Sequence, residues 1–357
     1  METEIQIPFL PPKVQIETVA VLKNLNAASR ALAQLKGEVK KIPNSQILID
    51  TISLQEAKDS NEVENIVTTD DELYQAAIET KNISQAAKEA QNYAQALKLG
   101  FKIIREKGVL SINDIKRIQE LVSPNHPIRK VPGTVLKNPK TQEVVFTPPQ
   151  QYSEILALFN NLETYINDPK LHPVDPLLKM PVVHYQFESI HPFYDGNGRT
   201  GRILNMLYLV HQNLLDIPVL YLSSYIIKNK ADYYRLLQKV RTDESWQEWL
   251  LWMLKGVEIT AKDTIVVVNN IKHLMDEYKQ KIRREFKFYS HDLINTLFKH
   301  PYTKIDFLER ELNVHRNTAS SYLNALAQHE EQFLTKLKIG KSNYFINHRL
   351  LQILKSR

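Results

Sequence analysis

His191-Pro192-Phe193-Tyr194-Asp195-Gly196-Asn197-Gly198-Arg199-Thr200-Gly201-Arg202 is where the chemistry of this 357-residue chain concentrates. The chain holds only nine glycines, and three of them, Gly196, Gly198 and Gly201, fall within six residues here. Glycine lets backbone N–H groups converge on an anion with no Cβ in the way. A helix starting near Gly198 or Arg199 adds its positive end. Arg199 and Arg202 stand three apart, on neighbouring sides of the first helical turn. Cations at a helix N-terminus oppose its dipole, an arrangement that makes sense when an anion lies between them. Gly196, Asn197, Gly198, Arg199 and Arg202 therefore read as a polyphosphate cradle.

The residues beside the cradle have matching uses. Asp195 offers a hard oxygen ligand for Mg²⁺, which suits carboxylate and phosphate oxygens. His191 ends the preceding helical stretch, and an imidazole with an ordinary pKa of about 6.5 suits a general base at neutral pH. A base, a metal ligand and an anion nest within twelve residues point to phosphoryl or nucleotidyl transfer. A zinc hydrolase built on His184 and His191 fits poorly: there is no H-E-x-x-H, and the glycine-rich loop would have no purpose. The chain has no cysteine, which excludes disulfides, a thiolate nucleophile and a Cys-based zinc site, and which is compatible with a reducing cytoplasm.

Outward from this block the spacing is mostly helical. Helices are expected over Val14–Lys41, Ser53–Ile66, Asp71–Leu99 with Gly100 as its stop, and Leu110–Val122. The segment Lys130–Pro149 is different. Val131, Val135, Val144, Val145 and Phe146 favour strands around a turn at Asn138-Pro139-Lys140-Thr141, giving one hairpin in a helical protein. Such a hairpin is marginal alone, so it should pack on the core or receive a partner strand. Helical spacing resumes from Tyr152 to Leu254, with breaks near Pro173, Pro176 and Pro181 and at His191–Gly198, and a connecting helix is expected over Thr260–Lys287. The last segment reads as helices near Ser290–Lys299, Lys304–Leu312 and Arg316–Gln328. Strands Phe333–Lys338 and Ser342–Ile346 follow around a turn at Ile339-Gly340-Lys341. That order resembles a winged helix-turn-helix.

Charge separates this last segment from the rest. The formal net charge is +6, and residues 283–357 carry 13 Lys+Arg against 7 Asp+Glu. All of the positive excess lies there, which makes the segment the expected place for DNA or an acidic protein to dock, with Arg316, Asn317 and Lys341 as contacts. The most apolar stretch, Leu204–Ile227, is interrupted by Asn205, His211, Gln212, Asn213 and Asp216, so no membrane span is expected, and the acidic start carries no export signal.

The twelve residues of the opening block resemble the Fic motif, H-P-F-x-[D/E]-G-N-G-R-x-x-R, at every fixed position, and Val183–Ile190 resembles its lead-in helix. The resemblance covers most of the chain. It implies a mainly α fold: an N-terminal helical region (1–100), a Fic-type helical core (101–258) with a small hairpin flap (130–149), a connecting helix (259–287) and a C-terminal winged helix-turn-helix (288–357). It further implies a protein adenylyltransferase that moves AMP from ATP onto a Tyr, Thr or Ser hydroxyl of a protein target, with Mg²⁺. His191 matches the base, Asp195 the metal ligand, Gly196, Asn197 and Gly198 the anion nest, and Arg199 and Arg202 the phosphate-side arginines. Phe193 matches a buried anchor of the loop, and Asn229 matches a position that contacts adenine. The flap, with Val131, Val135 and Val144, matches the element that holds an extended target segment by β-augmentation.

Gly198 bears on the reaction type, because Doc-type kinases of this family carry Lys there; Asp-Gly-Asn-Gly favours AMP transfer. Ser60-Asn61-Glu62-Val63-Glu64-Asn65 fits the inhibitory-helix pattern [S/T]-x-x-x-E-[G/N] of self-repressed members. Ser60 and Glu64, on a helix expected over about 53–66, are then inhibitory, with Glu64 pairing to Arg202 in the ATP site. Three alternatives stay open: transfer of another phosphate-containing group, removal of AMP, or a DNA-binding regulator whose core only senses nucleotide. The residues also leave a homodimer open.

Overall fold

The computed structural model describes residues 6–76, 83–137, 141–339 and 342–356. The expected turns at 138–141 and 339–341, Lys341 included, fall largely outside the described residues. The first helices among the described residues are α1 (Val19–Val39), α2 (Ser45–Val63), α3 (Asp70–Ala76), α4 (Gln85–Lys107) and α5 (Ile112–Val122). Side-chain caps mark their starts: Thr18, Asn44, Ser84 and Ser111 each accept a first-turn N–H, and Ser111 with Asp114 forms a capping box. Two expectations are corrected. The second helix starts eight residues earlier than the apolar spacing suggested and ends at Val63. Gly100 does not stop α4. A Cβ there would run into Leu207 of a neighbouring helix, so this glycine serves close packing, and the left-handed cap is Gly108 (φ +69°).

The hairpin is small: β1 (Leu136–Lys137) pairs antiparallel with β2 (Val144–Phe146) across an irregular register. Val131 and Val135 lie outside both strands, although both are exposed. Six helices follow: α6 (Tyr152–Asn167), α7 (Pro176–Ile190), α8 (Asn197–His211), α9 (Leu222–Lys228), α10 (Lys230–Asp243) and α11 (Trp246–Glu285). Pro176 sits in the first turn of α7 and Pro181 lies inside it, so neither breaks the helix as expected. Every residue of α7 from Leu177 to Ile190 is buried, the polar Lys179, His184, Gln186, Glu188 and Ser189 included, as expected of a helix packed on all sides at the centre of the core. The connecting helix is longer than read: α11 runs 40 residues without a break at 254–260. Gly256 lies within it because Tyr225 presses against its backbone.

Residues 291–355 form α12 (His291–Lys299), β3 (Tyr302–Thr303), α13 (Ile305–Leu312), α14 (Arg316–Gln328), β4 (Thr335–Ile339), β5 (Ser342–Ile346) and α15 (His348–Lys355). The sheet has three antiparallel strands in the order β3-β5-β4, one more than expected. Phe333 and Leu334, read as strand, are buried anchors just before it. Tyr278 of α11 belongs to this unit's core: it is buried between Phe298 and Phe333 and donates to the Phe333 carbonyl at 2.9 Å. The unit also touches the N-terminal helices. The Tyr302 hydroxyl donates to Asp71 at 2.9 Å, and its ring stacks on Tyr74. Among the described residues no helix is long and apolar enough to cross a membrane.

Candidate active site

The loop between α7 and α8 is built by packing and by a few exact hydrogen bonds. Phe193 is buried edge-on against Phe159, which fixes the middle of the loop. The Asn197 side chain accepts from the Phe193 N–H at 2.9 Å and donates to its carbonyl at 2.8 Å. Asn197 therefore staples the loop, and only its backbone is left to face an anion. His191 caps α7 in the left-handed region (φ +48°). Buried Arg129 holds that end by donating to the carbonyls of His191 (2.7 Å), Ile190 (3.2 Å) and Pro149 (3.0 Å), the last being the base of the hairpin. Gly196 is required twice: its φ is +79°, and an added Cβ would lie 2.9 Å from Ser123 Cβ.

Burial, followed by the nearby charges of Arg129 and Arg241, pushes His191 down to about 4. Its imidazole is thus neutral at neutral pH and able to take a proton. Its Nδ1 is buried with no hydrogen-bond partner. His184, by contrast, is a core residue. Its ring nitrogens lie 2.8 Å from the Tyr233 hydroxyl and 3.2 Å from the Gly201 carbonyl, and burial pushes it down to about 3. No cluster of three His, Asp, Glu or Cys that could hold a metal occurs among the described residues.

Both arginines in the first two turns of α8 meet a carboxylate from the N-terminal helices. Arg202, 2% exposed, donates through Nη2 to Glu64 Oε1 at 2.8 Å, and through Nε and Nη2 to the Ser60 hydroxyl (2.8 Å) and carbonyl (2.9 Å). Burial lowers the pKa of Arg202, but Glu64 together with the buried Tyr233 and Tyr93 hydroxyls more than offsets it, and the net direction is upward. Gly198 makes room for the pair, since a Cβ there would overlap Glu64 Oε1. Arg199 donates to Glu89 Oε2 of α4 at 2.6 Å and to Asp195 Oδ2 at 3.2 Å. Protein carboxylates thus supply the anions that cations at this helix start call for.

Asp195 also accepts from the Ser123 hydroxyl at the end of α5. Partial burial opposes ionisation, but Ser123 and Arg199 prevail and hold the carboxyl below its usual range. It is an ionised, half-exposed, solitary carboxylate. That donor set suits Mg²⁺, which takes one or two protein carboxylates and completes its shell with phosphate oxygens and water.

The remaining expected residues are more scattered. Asn229 joins α9 to α10 and donates to the Tyr225 carbonyl at 2.9 Å; the adjacent Lys230 reaches Asn65 at 2.9 Å, which puts this junction beside the end of α2. The exposed Tyr194 hydroxyl accepts from the N–H groups of Lys130 and Val131, tying the start of the hairpin segment to the loop. In the C-terminal unit Arg316 pairs with Asp306 and lies 3.8 Å from Glu309. Sequence reasoning missed Ser123, Glu89 and Arg129. Each lies at least 61 residues from the residues of the α7–α8 region that it holds, and no local pattern marks it.

Three family profiles match in order along the chain. They are the Fic/DOC family N-terminal region over residues 22–102, the Fic/DOC family over 109–209, and the C-terminal domain of SoFic-like protein adenylyltransferases over 274–350. The protein adenylyltransferase fic-1 of Caenorhabditis briggsae is 31% identical over 137 residues, 37% of this chain and 24% of that protein. A probable protein adenylyltransferase of Aquifex aeolicus is 37% identical over 81 residues, 23% of this chain. The match spans only 24% of the length of either relative. A crystal structure of a Fic family protein from Desulfovibrio desulfuricans superposes with a TM-score of 0.59 at 18% identity, covering 95% of this chain and 98% of that one. Fic-1 from Caenorhabditis elegans superposes with a TM-score of 0.53 at 19% identity, over 70% of this chain and 73% of that one. The sequence block, the helical core built around it and these matches agree that the chain belongs to the Fic/DOC family.

Proposed function

We propose that the protein is a self-inhibited protein adenylyltransferase. The observation that carries the reading is the single loop that brings together a neutral His191, an ionised Asp195 and the start of α8, with Glu64 seated on Arg202. In this reading the target hydroxyl oxygen attacks the α-phosphorus of ATP. The bond from that phosphorus to the bridging oxygen breaks, pyrophosphate leaves, and His191 takes the hydroxyl proton. Gly196, Gly198 and the first N–H groups of α8 receive phosphate oxygens, and Arg199 and Arg202 lie on the phosphate side. Asn229 lies toward the adenine. Asp195 would hold Mg²⁺, which screens the charge of the triphosphate. The exposed Val144 of the hairpin, with exposed Val131 and Val135 in the segment that leads into it, offers an edge to an extended target segment.

Glu64 supplies the restraint. While its carboxylate pairs with Arg202, that arginine cannot bind the terminal phosphate, and the α-phosphorus is not set in line for attack. The topology of the C-terminal unit supports a winged-helix reading, and we read it as a docking module for the target protein, because acidic neighbours already engage Arg316. Labelled ATP tests the reaction type. Label from the α-phosphate should appear on protein and label from the γ-phosphate should not; the reverse pattern would mean kinase chemistry, and no label at all would leave a nucleotide-sensing regulator.

A further inference from the structure

Two side chains, Ser123 outside the motif and Arg199 within it, converge on one oxygen of Asp195. The Asp195 side chain is 53% exposed, so on its own it would rotate among several rotamers. Its Oδ2 is nevertheless held from two directions. On one side the Ser123 hydroxyl donates to it. A hydroxyl has one proton to give, so Ser123 Oγ, 3.0 Å from His126 Nδ1, accepts from that ring nitrogen. Gln119 fixes the backbone beneath, donating to the Ser123 carbonyl at 3.2 Å and the Asp195 carbonyl at 3.1 Å. On the other side Arg199 donates to the same Oδ2, and Glu89 of α4 holds the other end of that guanidinium. The Arg199 side chain is 5% exposed and has no room to swing away.

We infer that Ser123 and Glu89 are positioning residues that fix the Asp195 carboxylate for the metal–nucleotide complex. The inference rests on the reading of Asp195 as the metal-side acid. The physical reason is that Mg²⁺ accepts little departure from octahedral geometry, so a ligand already fixed in orientation binds without losing rotational freedom on contact. Partners that orient a metal ligand typically cost about 10- to 100-fold in affinity or activity when removed. The lack of a Cβ at Gly196 serves the same end, since it lets α5 come close enough for Ser123 to reach the carboxylate.

The test is titration of the full-length protein, saturated with ATP, by Mn²⁺, read by the electron paramagnetic resonance of the free ion. A parallel measurement takes ATP affinity in EDTA. Ser123→Ala should weaken Mn²⁺ binding by about 10-fold and Glu89→Gln by several-fold, while ATP affinity in EDTA stays within about 2-fold of wild type. Glu89→Gln is isosteric and half-buried, so it carries the test even where Ser123→Ala is unstable. Wild-type Mn²⁺ affinity in both variants, alongside its loss in Asp195→Ala, would overturn the positioning role alone. Wild-type affinity in Asp195→Ala would overturn the metal-side assignment beneath it. Tighter ATP binding in EDTA by Glu89→Gln would also overturn the inference, because Glu89 would then be restraining Arg199.

Discussion

At the scale of single residues, the electrostatics of His191 set the pH behaviour. A base works in its neutral form, and the neutral form of His191 is populated above about 4. Transfer measured as kcat/KM should therefore hold nearly constant from neutral pH down to about 5 and fall only as pH drops through that folded value; an acid limb centred near 6.5 would contradict it. His191→Ala should lower transfer by about 10²- to 10⁴-fold, with ATP affinity little changed, as isothermal titration would show. Asp195→Ala should act through a different step, shifting the magnesium dependence of transfer to higher concentration; an unchanged dependence would remove Asp195 from the metal. The motif residues were legible in the sequence because the chemistry is written contiguously over twelve positions. Arg129, Ser123 and Glu89 were not, since only the folded chain brings them to the loop. Nor did the sequence disclose that Asn197 spends its side chain on Phe193.

Elements explain why α2 can act as a restraint. Its last turn places Ser60 and Glu64 on Arg202, and one turn earlier Glu56 is buried against α9, accepting from the Ser223 N–H and hydroxyl and from the Tyr93 hydroxyl at 3.3 Å. Lys58 pairs with Asp70 at 2.9 Å on the outer side. Glu56→Ala would leave buried donors unpaired at a cost of about 1–3 kcal/mol and should loosen the docking of α2. Hydrogen exchange over 53–64 should quicken and transfer should rise together; faster exchange without added transfer would separate the helix from the restraint. The helical composition of the fold was readable from spacing, and the start of α8 from its glycines. Boundaries were less so. Gly100 carried the look of a helix stop although Leu207 packs on it, and the apolar spacing alone did not show that α11 runs unbroken from Trp246. The hairpin kept its place, and among the described residues only 136–137 and 144–146 form its strands.

The whole molecule is tied together by α11, which starts beside the core and ends inside the C-terminal unit. A fragment beginning at Phe286 would lack Tyr278, and losing a buried aromatic of that size typically costs about 3–5 kcal/mol. It should melt well below a fragment beginning at Asn270, as circular dichroism would show; equal melting would exclude Tyr278 from that core. The positive excess of residues 283–357 was plain in the sequence, but not that Arg316, Lys299 and Arg349 are each paired with acids. The longer fragment should consequently show little salt-sensitive retention on DNA, whereas retention falling steeply with salt would favour the nucleic-acid reading. Control of the site lies in the contact between the N-terminal helices and the motif, so the most direct measurement compares protein labelling from α-phosphate-labelled ATP by wild type, Glu64→Gly and Arg202→Ala at matched protein and magnesium. Glu64→Gly should label more than wild type and Arg202→Ala less, because the first frees the phosphate ligand and the second deletes it. Labelling by Glu64→Gly equal to or below wild type would contradict self-inhibition through Arg202.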